Sequence, residues 1–128
     1  MEKLLIEPTR SSPRIRFDGQ AHLLEVTGES YPEDAAMFYR PVFEWLTRYL
    51  EGLAAGVEVR VKLDVNYFNS STSKIFMDLF ELLDDHVRAG KTIVAEWISH
   101  EENDMGIEFG EEFQECVTDL PIHVVTRA

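Results

Sequence analysis

From Val57 to Val65 the chain alternates without a break. Val57, Val59, Val61, Leu63 and Val65 fall on one side, and Glu58, Arg60, Lys62 and Asp64 on the other. A period of two belongs to a β-strand with one buried face. Directly afterwards the period changes. Ile75, Phe76, Leu79, Phe80, Leu83 and Val87 recur at three- and four-residue steps, opposite Lys74, Asp78, Glu81 and Asp85. That spacing predicts an amphipathic helix over Ser73–Arg88, closed by Ala89-Gly90.

The same two periods organise the rest of the chain. Phe38, Val42, Trp45, Leu46, Tyr49, Leu50 and Leu53 predict a helix from Ala35 onward, with Gly52 and Gly56 as its stop. Ser30 and Glu33 have the spacing of a capping box for that helix, and Pro32 suits its first turn. Pro41 lies inside the pattern and is expected to kink or split the helix. Upstream, Arg14–Phe17 and "HLLEVTG" flank the turn signal Asp18-Gly19 and predict a β-hairpin. The segment before it, with Pro8 and Pro13, reads as a tail. Downstream, "KTIVAEWI" is a strand, and "ENDMGIEFGEEFQE" is a short acidic helix with Met105, Phe109 and Phe113 facing inward. Pro121 precedes a last strand, "IHVVT". The predicted order is ββαβαβαβ. This is the α/β class, a single-layer, mixed, partly parallel sheet of about five strands with about three helices and right-handed crossovers.

Length and charge narrow the functional classes. The 128 residues suit one domain spanning 1–128, long enough to bury roughly 65–70% of the unfolded surface without disulfides or metal. A formal net charge of −12, without a basic stripe, argues against nucleic acid and anionic lipid as partners. The single cysteine, Cys116, lies in acidic surroundings that disfavour a thiolate nucleophile. The N-terminal "MEKLLIEPTR" lacks the apolar core of a signal peptide, and no stretch approaches a membrane span. A cytoplasmic protein is expected.

The chemistry concentrates where the alternating strand meets its helix. "YFNSSTSK" (Tyr67–Lys74) carries four consecutive hydroxyls, Ser70, Ser71, Thr72 and Ser73. The first N–H groups of a helix have no partner within it, and Asn69 or Ser70 as N-cap would satisfy one of them. One cap explains one or two of these side chains. A phosphate on one of the others would meet the orphan donors and the positive end of the helix dipole. It would add a charge of about −1.5 to −2 to the local surface.

Four stretches in order carry a resemblance to a known family: "TRSSPRIRFD" (Thr9–Asp18), "GESYPED" (Gly28–Asp34) with "FEWLTRYL" (Phe43–Leu50), "YFNSSTSK", and "MGIEFGEEFQE" (Met105–Glu115). The chain resembles the SiaC-type regulatory phosphoproteins of bacterial partner-switch systems, nearly end to end. Ser12 stands where the family often has Thr, and the loop looks like the family's Tyr-x-Asn-Thr-Ser-Ser. The resemblance implies a small α/β protein without enzymatic activity or cofactor. It implies a dedicated kinase that phosphorylates the hydroxyl directly after the loop Asn, and a PP2C-like phosphatase that reverses this. The downstream effector is in some systems a diguanylate cyclase. Aligned on Asn69, the acceptor falls on Ser70, where the family pattern has Thr. Ser71 and Thr72 remain alternatives, and the analogous strand–loop–helix of STAS-domain anti-anti-sigma factors favours Ser71. Asn69, Ser73, Lys74 and Asp78 are expected in the docking face.

Other candidates carry less. The stretch Glu96–Asp119 holds nine carboxylates and no Lys or Arg, which reads as a solvated face or as a surface for a basic partner. His100, Glu101, Glu102 and Asp104 have no metal-ligand spacing. Asp64, Asp78 and Asp85 suggest paired carboxylates, but the last two fall on the solvent side of their helix. The competing functions are a constitutive adaptor whose hydroxyl run is only a cap, and a small enzyme with an unrecognised site.

Overall fold

The alternating stretch becomes an interior strand. In the computed structural model, which describes residues 2–128, the strands are β1 (Leu4–Ile6), β2 (Arg14–Asp18), β3 (Leu23–Ser30), β4 (Glu58–Phe68), β5 (Thr92–His100) and β6 (Ile122–Arg127). They form one six-stranded sheet in the spatial order β1-β2-β3-β4-β5-β6. The first three pair antiparallel, and β3 to β6 run parallel. Helices α1 (Ala35–Glu51), α2 (Ser70–Arg88) and α3 (Asp104–Glu115) make the three parallel connections. Each new parallel strand is added on the same side of the last. Right-handed crossovers therefore place every helix over one face of the sheet.

The register fixes what each face carries. Ile15, Val26, Leu63, Trp97 and Val124 form one row across five strands, under the helices. The next row, Arg16, Glu25, Lys62, Glu96 and His123, lies on the uncovered face, where Lys62 and Arg60 lie within 3.8 Å of Glu96. A strict period of two separates these rows, so a one-residue slip would exchange them. The densest part of the core is aromatic: Trp97 is fully buried, with Phe113 at 4.9 Å and Phe76 at 5.9 Å between ring centroids. The indole Nε1 of Trp97 donates to the Gly106 carbonyl at 2.8 Å, so the one polar atom of this ring is satisfied inside the core.

Several local expectations change. The tail contains a strand: Leu4 and Ile6 pack on the core edge and pair with Phe17 and Ile15. This raises the strand count to six. The N-cap of α1 is Asp34, whose carboxylate accepts from Met37 N at 3.1 Å. Ser30 is no capping residue; it is fully buried at the end of β3. Pro41 does not split α1, which runs unbroken from Ala35 to Glu51. Pro41 has no N–H for the Met37 carbonyl, and both residues are exposed, so water can take that bond. In α3, Met105 does not face inward but is 68% exposed, whereas Phe113 is buried and Phe109 half-buried. The buried positions of the first turns are Gly106 and Gly110, because a Cβ would run into Asn103 and Ser99 at the first and into Trp97 at the second.

A carboxylate ties the far end of the structure together. Asp84 of α2 is 5% exposed and accepts from the backbone N–H groups of Asp119 (2.7 Å), Leu120 (2.8 Å) and Thr118 (3.3 Å). Arg88 Nη2 donates to the same carboxylate at 2.8 Å. Desolvation pushes the Asp84 pKa up, but the three N–H donors and Arg88 together hold it below the ordinary carboxylate value.

Two outcomes follow for stability. A Cβ at Gly110 would sit 2.5 Å from Trp97 Cδ1 and 3.0 Å from Val124 Cγ2. Overpacking of about 1–3 kcal/mol outweighs a helix-propensity gain of up to about 1 kcal/mol. Gly110→Ala should lower the urea midpoint, while Gly52→Ala, with its nearest neighbour at 3.6 Å, should not. Asp84→Asn should lose about 1–3 kcal/mol near neutral pH, since the amide NH2 must face either the Asp119 and Leu120 N–H groups or Thr118 N–H and Arg88. The folded pKa is depressed, so the contribution is present above the unfolded value and drains away as pH falls through the folded one. Denaturant titrations should show the gap between wild type and Asp84→Asn narrowing as pH falls below the ordinary carboxylate value and closing once the folded carboxyl is protonated. A constant gap across that range would contradict the assignment.

Candidate functional site

β4 ends at Phe68, and Asn69 turns the chain into α2 with extended backbone angles, φ −88° and ψ 176°. Its side-chain Oδ1 accepts from Thr72 N at 3.0 Å, and its carbonyl accepts from Ser73 N at 2.9 Å. Its own N–H donates to the Ser30 carbonyl of the neighbouring strand at 3.2 Å. Asn69 is thus the N-cap and also the tie between the ends of β3 and β4. Ser30 Oγ lies 3.0 Å from Thr72 Oγ1 and 2.7 Å from the Tyr39 hydroxyl on α1. Burial pushes the Tyr39 phenol up to about 12, so it stays neutral and available for this bond.

This arrangement sorts the four hydroxyls. Thr72 is fully buried and belongs to a closed network joining β3, α1 and α2. Ser73 is half-buried, and Ser70 and Ser71 are exposed. Ser71, Lys74 and Asp78 come together with Glu33, Asp34 and Ile75 along a groove of about 420 Å³ between the starts of α1 and α2. Asn69 and Ser73 do not line it. With Thr72 N and Ser73 N both directed at Asn69, the N–H groups of Ser70 and Ser71 have no partner among the described residues.

On the other side of the turn, Asn66, Tyr67 and Phe68 meet Asn103, Met105, Gly106 and Phe109 around a depression of about 140 Å³. Tyr67 is 53% exposed and packs edge-on against Tyr31 at 5.7 Å. Both tyrosines fall in stretches that carry the family resemblance, but their contact joins the ends of β3 and β4, which no local periodicity reports. Asn103 caps α3 by accepting from Gly106 N at 3.0 Å, as Asp34 caps α1. An Asp or Asn directly before each apolar helical pattern is the signal that identifies these caps. His100 Nδ1 accepts from Glu102 N at 3.0 Å, which commits that ring nitrogen to the loop. Among the described residues, no His, Cys, Asp or Glu cluster has the geometry to hold a metal ion. No helix among them is long and apolar enough to cross a membrane.

The architecture is that of a small α/β protein whose one-sided, partly parallel sheet presents an exposed pair of hydroxyls at a helix N-terminus. The chain belongs to the SiaC family of regulatory phosphoproteins, whose family model matches residues 6–127. It is 33% identical over 115 residues to an uncharacterised protein of Pseudomonas aeruginosa (strain UCBPP-PA14), covering 90% of each chain. Its fold matches SiaC of Pseudomonas aeruginosa with a TM-score of 0.90 at 29% identity, over 99% of this chain and 100% of that one. It also matches the crystal structure of the diguanylate cyclase SiaD in complex with its activator SiaC, from the same organism. There the TM-score is 0.89 at 30% identity, over 97% of this chain and 99% of that one.

If Thr72 is a fixed part of the fold, Thr72→Val should cost about 1–2 kcal/mol by leaving the buried Ser30 hydroxyl with Tyr39 as its one side-chain partner. Ser71→Ala on the exposed side should stay within about 0.5 kcal/mol of wild type. Denaturant midpoints of the two variants that coincide would remove Thr72 from the network.

Proposed function

We propose that this chain is a non-enzymatic binding module whose partner choice depends on phosphorylation of Ser70. The observation that carries the proposal is the exposed Ser70 hydroxyl on a helix whose cap is already supplied by Asn69. Capping does not require Ser70, and the free N–H groups beside it favour a phosphate there. Ser71, equally exposed, is the second choice. Thr72 falls behind both, since a kinase would have to draw its buried hydroxyl out of the bonds to Ser30. The proposed cycle uses a dedicated kinase, a PP2C-like phosphatase and a downstream effector, all in the cytoplasm. The SiaC–SiaD complex of Pseudomonas aeruginosa supports a diguanylate cyclase as that effector.

Mechanistically, the unmodified turn and the exposed side of α2, with Lys74 and Asp78, form the docking face over the whole-chain domain. A phosphate brings about −1.5 to −2 charges that a docked partner must desolvate or match. The groove beside Ser71 already holds Glu33, Asp34 and Asp78 against the single cation Lys74, so the added anion finds little compensation there. Binding weakens while the fold stays unchanged.

The test is a pair of pull-downs with the purified diguanylate cyclase of the same organism. Ser70→Ala should retain capture, and Ser70→Asp should weaken it by roughly tenfold or more, in keeping with a central interface position. Equal capture by both would favour a constitutive adaptor. Loss only with Ser71→Asp would move the acceptor by one residue.

A further inference from the structure

We infer that the depression formed by Asn66, Tyr67, Phe68, Asn103, Met105 and Phe109 is an anchor pocket for a partner segment that inserts one aliphatic side chain flanked by Lys or Arg. The inference rests on the reading that this edge of the sheet is a docking face, and it specifies the chemistry that docks. The pocket volume of about 140 Å³ is well below the roughly 300–1,000 Å³ of small-molecule sites, so it suits a single side chain. Its walls are preformed. Phe68 and Phe109 lie 4.8 Å apart, and Phe68 in turn packs against Trp97 at 5.5 Å and Phe76 at 5.4 Å. The rim is apolar and exposed: Tyr67 at 53% and Met105 at 68% are among the most exposed large hydrophobic side chains of the described residues. A thioether on such a rim adapts its shape to an incoming side chain.

Charge decides what surrounds the anchor. Glu101, Glu102, Asp104 and Glu108 are exposed on the loop and first turns that carry Met105, and no Lys or Arg occurs from Glu96 to Asp119. The cation beside Asn66 is Arg127, and it is engaged by Asp64 at 3.0 Å and by Asn66 Oδ1 at 2.8 Å. The rim therefore attracts cations and repels a second copy of this chain, whose formal charge is −12. A lipid surface or nucleic acid is repelled by the same field.

The probe is a synthetic peptide of about a dozen residues with one Leu between Lys residues, titrated into isotope-labelled, unmodified protein and followed by amide chemical shifts. Shift changes should centre on Asn66–Phe68 and Met105–Phe109. Replacing the peptide's Leu by Ser, or its Lys residues by Glu, should weaken binding by roughly tenfold. In the protein, Tyr67→Ser and Met105→Ser should each weaken it by roughly three- to tenfold with an unchanged thermal midpoint, since both side chains are exposed. Equal binding of the Glu-flanked peptide, no binding of the Lys-flanked one, or shifts scattered over the acidic helices and indifferent to Met105→Ser would each overturn the inference. Ser70 and Ser71 are untouched in this experiment. A failed phosphorylation switch would leave the peptide result standing, and a failed pocket would leave the Ser70 pull-downs unaffected.

Discussion

The constraint on which the rest of this molecule depends is the knot at Asn69. One side chain caps α2, and its backbone N–H holds the end of β3 through the Ser30 carbonyl. Directly behind it, Ser30, Thr72 and Tyr39 close a hydroxyl network with no exposed member, so three elements meet through bonds that water cannot replace. Buried hydroxyls left without partners would cost about 1–3 kcal/mol each, which makes the network all-or-none. Because Asn69 and Thr72 perform this work, the two serines between them in sequence are free of structural duty. The proposed site exists by subtraction: what the fold does not need is what it presents.

One-sided winding determines where that site lies. Three parallel crossovers laid in one direction put all the helices on one face and all their N-termini along the carboxyl edge of β3, β4 and β5. Open α/β sheets place their sites at this edge for the same reason: the loops there begin helices and carry unpaired N–H groups. The net charge of −12 opposes an anion at Ser70 while the helix N–H groups favour it, and the two effects act at different ranges. Charges beyond about 8 Å are largely screened at physiological salt, while the helix N–H groups act in direct contact and contribute about 0.3–1 kcal/mol. The local term favours the phosphate, and the field of the whole protein acts on approaching partners instead.

How much of this was legible in the sequence depended on whether the signal was periodic. The β4 alternation and the α2 face needed only their own residues, and the hairpin was carried by Asp18, whose side chain accepts from Gln20 N and Ala21 N in the turn. The misreadings share a cause. Ser30 and Glu33 have a capping-box spacing, but the Thr72 partner of Ser30 lies 42 residues away, and no local pattern reports a contact at that distance. Met105, Phe109 and Phe113 define an apolar face only until Gly106 is seen against Ser99 and Gly110 against Trp97. There a missing side chain is the packing element, and a hydrophobicity pattern gives it no weight. β1 escaped notice because three residues, with Pro8 two positions beyond them, cannot establish a period. The hydroxyl run stood out in the sequence as a cluster at a strand–helix junction, but not the division of labour inside it, which is set by the tertiary position of Thr72.

That division bears on what a modification at this turn can do. A phosphate on a residue that also capped the helix would have to reorganise the cap, and part of its interaction energy would go into refolding the first turn. At Ser70 the cap is already made, so the added charge leaves the first turn in place and its whole effect falls on the surface. The surface on either side is equally prepared: residues 66–68 supply an aromatic-walled depression, and Ser71, Lys74 and Asp78 a polar groove. A partner spanning both would cross Ser70 and Ser71 at its centre, where desolvation is most complete and one uncompensated charge costs most. A rigid turn between two preformed contacts is therefore a more sensitive place for a charge switch than a flexible loop, which could swing the anion away into water.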